Sequence, residues 1–174
     1  MISKRALALA LLGTALALPG LAWAAEASGL GKGSEVPTIH IDAFNDNRGE
    51  FCVTCEAAKK PAMVAFVSRA DAATKNLLVA LDASYKQNRK KHLYAGVVIL
   101  GSGEQAKALR KYVSDKKFAI PTAAVAQQTD EIKKWKLNPK VSSTTFFIVQ
   151  HKVKANVANL SSKQVASHVK QITG

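Results

Sequence analysis

The chain has 174 residues, 25 Lys and Arg against 12 Asp and Glu, two cysteines and a mean hydropathy near zero. It is too apolar for a disordered polycation, too poor in cysteine for a multi-disulfide scaffold and too short for two ordinary domains. A formal charge of +13 would suit a nucleic-acid binder, so the cellular location has to be weighed before the charge is used.

Lys4 and Arg5 precede an apolar run from Ala6 to Leu18, Pro19 and Gly20 break it, and Ala22-Trp23-Ala24 presents a small-x-small cleavage pattern. Together these predict a secretory signal peptide over 1–24. The Pro-Gly break and the short apolar run argue against an uncleaved membrane anchor, so no stable membrane span is expected after cleavage. No cysteine stands at the cleavage site to carry a lipid. The expected location is therefore periplasmic or secreted, where nucleic acid is scarce and anionic surfaces abound. The basic residues are also dispersed: Lys86, Arg89, Lys90 and Lys91; Lys107, Arg110, Lys111, Lys116 and Lys117; Lys133, Lys134, Lys136 and Lys140. They alternate with apolar residues at helical spacing, as solvated helix faces do, which predicts weak attraction to anionic surfaces and no nucleic-acid partner.

Residues 25–35 are small and polar and read as a flexible leader, with one domain over 36–174. The alternation from Thr38 to Phe44 predicts a half-buried strand, 45–49 a turn, and 51–53 the return strand of an N-terminal hairpin. After Pro61 the pattern changes. Ala62 to Val67 and Tyr94 to Leu100 are continuous apolar strands, and Leu77, Leu78, Leu81 and Tyr85 mark a helix between them over 72–87. Ser102 with Gln105 forms a capping-box pattern for a further helix with Ala106, Leu109, Tyr112 and Val113 on one face. Strands of this kind separated by helices imply a parallel sheet with right-handed crossovers. Beyond it, 121–126 predicts a short strand, and 130–137 a short helix with Ile132 and Trp135 inward. Residues 144–149 and 153–158 predict an antiparallel hairpin. A last helix carries Val165, Val169 and Ile172, preceded by a Ser161 and Gln164 capping pattern.

The sum is a hairpin, then β-α-β-α, a connecting strand and helix, then β-β-α. This order resembles the thioredoxin-like superfamily, and specifically its redoxin branch of peroxiredoxin-like and exported thiol-disulfide proteins. The resemblance covers about residues 36 to 172, and its phrases are Gly33-Ser-Glu-Val-Pro37, Lys60-Pro-Ala-Met-Val-Ala-Phe66 and Phe118-Ala-Ile-Pro-Thr122. It implies an α/β thioredoxin-like fold: a central mixed sheet flanked by helices, with an N-terminal β-hairpin. It also implies redox cysteines after the first central strand, but Phe66 to Thr74 contains none. Asp71 and Thr74 stand near where the two sulfurs would be. The proline that usually precedes the last hairpin in the cis form is also missing, and Ser143 or Thr144 takes its place. Peroxidatic cysteines in this superfamily likewise follow the central strand, which argues against peroxidase activity.

Both cysteines instead lie before that strand, in Cys52-Val-Thr-Cys55. As a staple, a loop of about four residues contributes about 2 kcal/mol, against about 5 for one of about 100 residues. Redox exchange makes better use of the spacing, because the second sulfur is held within reach of any mixed disulfide formed by the first. By analogy with similar motifs, Cys52 would be the attacking thiolate and Cys55 the resolving thiol, with protein thiols or disulfides as partners. Glu56 opposes the thiolate charge, whereas Lys59 and Lys60 favour it. Two other uses of the pair stay open: a structural disulfide in a non-enzymatic binding or scaffold protein, and half of a tetrahedral zinc site completed by His40, His92, His151 or His168. No second C-x-x-C and no H-x-x-x-H accompanies it, so no metal site is assigned, and Glu56 stands where covalent haem attachment requires His. No cofactor is expected. Gly101-Ser-Gly103-Glu-Gln-Ala106 matches a dinucleotide fingerprint only formally, since the acidic residue required about 20 positions on is missing from Phe118-Ala-Ile-Pro121.

Overall fold

In the computed structural model, which describes residues 27–125 and 129–174, the alternation near residue 40 becomes a short strand β1 (His40–Asp42), paired antiparallel with β2 (Glu50–Cys52). The register sets His40 opposite Cys52 and Ile41 opposite Phe51. The predicted signal peptide lies outside the described residues. A 3-10 helix, Cys55–Ala58, then leads into β3 (Ala62–Val67), all six of whose residues are buried. The chain continues through α1 (Ala72–Asn88), β4 (Tyr94–Leu100), α2 (Glu104–Asp115), β5 (Thr122–Val125) and α3 (Asp130–Lys133). It ends with β6 (Ser143–Val149), β7 (Lys152–Ala158) and α4 (Val165–Thr173).

The main sheet has the order β5-β4-β3-β6-β7, with β3, β4 and β5 parallel and β6 and β7 antiparallel to their neighbours. The mixed sheet, its flanking helices and the N-terminal hairpin are those the sequence predicts. Strand periodicity divides β3 between two cores. Met63, Ala65 and Val67 face a cluster that includes Leu77, Leu81, Leu109 and Val169 of α1, α2 and α4. Ala62, Val64 and Phe66 face Ile39, Ile41, Val53, Ala57, Ile132 and Trp135, so the hairpin, the 3-10 helix and α3 cover the opposite face. Gly96, in mid-strand, permits that cover. A Cβ there would stand 2.9 Å from Val53 Cγ2 and 3.2 Å from Ile41 Cδ1, closer than packed carbons come.

The hairpin is also tied to the sheet by polar contacts. Asn45 Nδ2 donates to the carbonyls of Phe118 and Ile120, and its Oδ1 accepts from Thr122 N. Buried Asp82 of α1 accepts from the backbone N–H groups of Ala119 and Ile120 and pairs with Lys86 Nζ at 2.6 Å, so the approach to β5 is held from both faces. Among the described residues no helix is long and apolar enough to cross a membrane.

Three local expectations change. Residues 27–35, within the 25–35 segment predicted to be a flexible leader, lie along β6 and β7 together with Val36. Gly33 N donates to Val153 O, Val153 N to Ser34 O and Val36 N to His151 O, while Asn156 Nδ2 donates to the carbonyls of Ser28 and Leu30. Composition misleads here because β7 is an edge strand whose free backbone groups recruit any extended segment that fits. Gly29 fits by lacking a side chain: with φ +87°, a Cβ on it would overlap the Phe146 ring. The Ser102 and Gln105 pattern is not a capping box, since Gly103 caps α2 and Gln105 Oε1 accepts from Ala70 N at 2.7 Å. Ser161 likewise makes no side-chain cap, because a 3-10 turn at Ser162–Gln164 precedes α4.

Candidate functional site

The Cys-Val-Thr-Cys turn is built from the inside outward. Val53 and Thr54 are fully buried, Cys52 is half-buried and Cys55 is exposed. Val53 packs into the core below the hairpin. Thr54 Oγ1 accepts from Ile39 N at 3.1 Å and donates to Pro37 O at 3.1 Å, which fixes the turn to the start of β1. Ala57, one turn on, is fully buried, and its carbonyl accepts from His151 N. The two intervening residues and the 3-10 helix are therefore anchors, and the sulfurs are left on the outside.

Cys52 and Cys55 are joined in a disulfide. The N–H of Cys55 donates to Cys52 Sγ at 3.0 Å. Thr54 Oγ1 lies 3.8 Å from the same sulfur, but its one proton is committed to Pro37 O, so the backbone N–H is the donor that would stabilise charge on Cys52. His40 faces Cys52 across the hairpin, and its ring nitrogen and the two sulfurs lie within 4.8 Å of one another. His40 Nδ1 is 3.4 Å from Glu131 Oε1 of α3, both side chains being about half exposed. The side chain of Glu56 is outside the described residues. Beside β2 opens a cleft of about 190 Å³ lined by Arg48, Phe51, Lys60, Tyr85, Arg89 and Tyr94, a cationic and aromatic surface.

The place where the superfamily resemblance puts the sulfurs is occupied differently. Asp71 is the N-cap of α1: its Oδ1 accepts from Thr74 N at 2.7 Å and its Oδ2 from Ser142 Oγ at 3.0 Å. Burial works against the Asp71 charge, but the Thr74 N–H, the Ser142 hydroxyl and the nearby Arg69 outweigh it and hold the carboxyl below its ordinary range. Thr74 is buried, and Ser143 is buried opposite Val67 in the ladder between β3 and β6. No cis peptide bond occurs among the described residues. This cluster caps a helix and joins two loops, and Asp71 has both oxygens engaged in doing so.

The four histidines, equivalent in the sequence, separate in space. His92 closes a 3-10 turn in the left-handed region, His151 lies in the turn between β6 and β7, and His168 stacks on Phe147 with ring centroids 4.8 Å apart. Among the described residues His40 is the one beside the sulfurs. Its position was legible in principle, because a hairpin closed so that Ile41 and Val53 point inward sets His40 opposite Cys52. The approach of Glu131, 91 residues away, had no sequence signal.

No family model matches the sequence, and no curated protein matches it. Solved structures do match. The thioredoxin domain of a thiol-disulfide oxidoreductase from Bacteroides vulgatus aligns with a TM-score of 0.67 at 14% identity, covering 83% of this chain and 99% of that one. A thiol:disulfide interchange protein of the thioredoxin family from Chlorobium tepidum aligns at 0.65 and 13%, covering 83% and 99%. A secreted disulfide oxidoreductase from Mycobacterium tuberculosis aligns at 0.59 and 12%, covering 76% and 95%. The fold is thioredoxin-like.

Proposed function

We propose that this is an exported thiol-disulfide exchange protein acting through Cys52 and Cys55 on protein thiols or disulfides. The observation that carries the reading is the turn itself: the chain's two cysteines form a disulfide on an outward-facing turn whose other residues are buried anchors. Exposure supports Cys55 as the sulfur that meets the partner, the reverse of the order that analogy alone gives. A partner thiolate attacks Cys55 Sγ, the disulfide breaks, and Cys52 Sγ leaves with the electron pair, accepting the Cys55 N–H bond. The partner's second thiol then attacks its own sulfur in the mixed disulfide. The partner departs oxidised, having lost two electrons and two protons, and both cysteines are thiols; oxidation of a substrate dithiol and reduction of a substrate disulfide are this sequence run in its two directions. The cationic, aromatic cleft beside β2 suits an acidic partner surface and agrees with weak attraction to anionic surfaces. The apolar run and cleavage pattern of residues 1–24 support export, as does the likeness in fold to a secreted oxidoreductase.

One observation favours the competing reading of a binding or scaffold protein with a structural disulfide: the start of α1 carries Asp71 and Thr74 in place of sulfur, with Asp71 engaged as a helix cap. Reduction potential and trapping separate the two. Exchange predicts a potential above about −300 mV and a mixed disulfide that accumulates in Cys52→Ser, where Cys55 has lost its resolving thiol, and not in Cys55→Ser. A potential below about −300 mV with no exchange in the wild type rejects the reading.

A further inference from the structure

We propose that the reduced pair, together with His40, is a binding site for a thiophilic divalent cation of the zinc class, opened by reduction and closed by disulfide formation. Three donors of the right chemistry converge on one side of the hairpin, with Sγ of Cys52, Sγ of Cys55 and a ring nitrogen of His40 within 4.8 Å of one another. Zinc bonds of about 2.3 Å to sulfur and about 2.0 Å to nitrogen place tetrahedral donors about 3.5–3.8 Å apart. The sulfurs, 2.04 Å apart in the disulfide, separate on reduction, and the imidazole closes by about 1 Å at most, from within 4.8 Å, to complete the set.

Two further features prepare it. Cys55 N–H already points at Cys52 Sγ at 3.0 Å, and a backbone donor of that kind offsets charge on a ligating thiolate. Glu131 Oε1 lies 3.4 Å from His40 Nδ1. A carboxylate only accepts, so it selects the tautomer with the proton on Nδ1 and leaves the lone pair on Nε2, the orienting arrangement that ligating histidines use. His40 is pinned opposite Cys52 by the β1 and β2 register and Glu131 is carried by α3, so the set rests on two elements packed over the same face of the sheet. Three protein donors leave the fourth position to solvent.

The chemistry balances in two steps. A dithiol reductant supplies two electrons and two protons to the disulfide and becomes a disulfide itself. The cation then displaces the two thiol protons, which leave to solvent, and binds both thiolates and the imidazole. With the cation bound, neither sulfur is free to attack a disulfide, so metal occupancy would hold the pair out of exchange.

The test is an equilibrium titration of the purified protein with zinc(II) against a chromophoric chelator, in excess phosphine reductant and again after oxidation. Expected are one zinc per reduced chain, none on the oxidised chain in the same range, and affinity lowered at least about 10-fold in His40→Ala and about 10-fold in Glu131→Gln. His40→Cys, which supplies a third thiolate from the same position, should restore tight binding. Cobalt(II) should give a thiolate charge-transfer band on the reduced wild type that is absent after oxidation. Reduced protein that binds zinc no better than oxidised protein overturns the proposal, as does His40→Ala binding like the wild type. Because the reductant is chemical, the result is independent of exchange with a partner: zinc binding without exchange sinks the exchange reading alone, and exchange without zinc binding sinks this one alone.

Discussion

The two ends of β3 invite comparison. Before it, on the hairpin that covers one sheet face and the turn that follows, lie a histidine and two sulfurs, with the Glu131 carboxylate of α3 beside the histidine. Beyond it, at the start of the longest helix described, lies a cap of Asp71, Thr74 and Ser142 with no sulfur. The helix N-terminus is the place where backbone N–H groups and the macrodipole best stabilise an anion, and here a carboxylate uses it. The sulfurs depend instead on one N–H and on the neighbours that the hairpin register brings. The thioredoxin-like shape is thus compatible with sulfurs on the hairpin turn and a carboxylate at the helix, because the sheet and the two cores do not require sulfur at either place.

The strongest way to break the comparison is to remove each end in turn. Cys52→Ser or Cys55→Ser should reduce turnover of a model protein disulfide to background, on the order of 1000-fold, because no cycle runs with one sulfur. Asp71→Ala combined with Ser142→Ala should leave the same rate within about twofold, and a large loss there would relocate the site. Next in size is the packing that supports the hairpin. Trp135 is fully buried, with ring centroids 4.9 Å from Phe66 and 4.8 Å from Phe146, so Trp135→Ala should cost about 4 kcal/mol by denaturant unfolding.

Thr54→Val tests the anchor directly. It strands a buried Ile39 N–H and the Pro37 carbonyl, which should cost about 2 kcal/mol in unfolding and slow exchange by loosening the turn. The smallest effect belongs to the other end. Asp71→Ala should cost about 1 kcal/mol at pH 7, the worth of an N-cap. Asp71 in the folded protein titrates below the ordinary value of 3.8, so its stabilising effect is complete above about pH 4 and is lost as pH falls through the folded value. The difference in unfolding free energy between wild type and Asp71→Asn, which keeps a capping oxygen without the charge, should therefore shrink below pH 4. A constant difference would show that the charge contributes nothing there.

Much of the fold was legible in local pattern. Ala62–Val67 and Tyr94–Leu100 are uninterrupted apolar runs bounded by Pro61 and Gly101, and both strands occupy those residues. Leu77, Leu78 and Leu81 marked the buried face of α1, and Ile132 and Trp135 the inward face near α3. Small polar composition gives no sign of the contacts of residues 27–35, because their partners lie on the edge strand β7, more than a hundred residues away in the chain. Gln105 matched a capping pattern yet bonds Ala70, since a side-chain amide serves whichever unpaired N–H the tertiary structure brings near.

For the candidate site, the sequence alone determined that the two cysteines sit together before the first central strand and that the segment after it, Phe66 to Thr74, holds none. Only the tertiary structure decided that His40 stands beside them with Glu131 behind it, that Cys55 is more exposed than Cys52, and that Asp71 is a helix cap. Spacing of three residues is a local property, set by covalent geometry and readable along the chain. Neighbours across a hairpin, or between β1 and a helix 91 residues away, depend on register and on how two buried faces seat against each other, and no local periodicity encodes that.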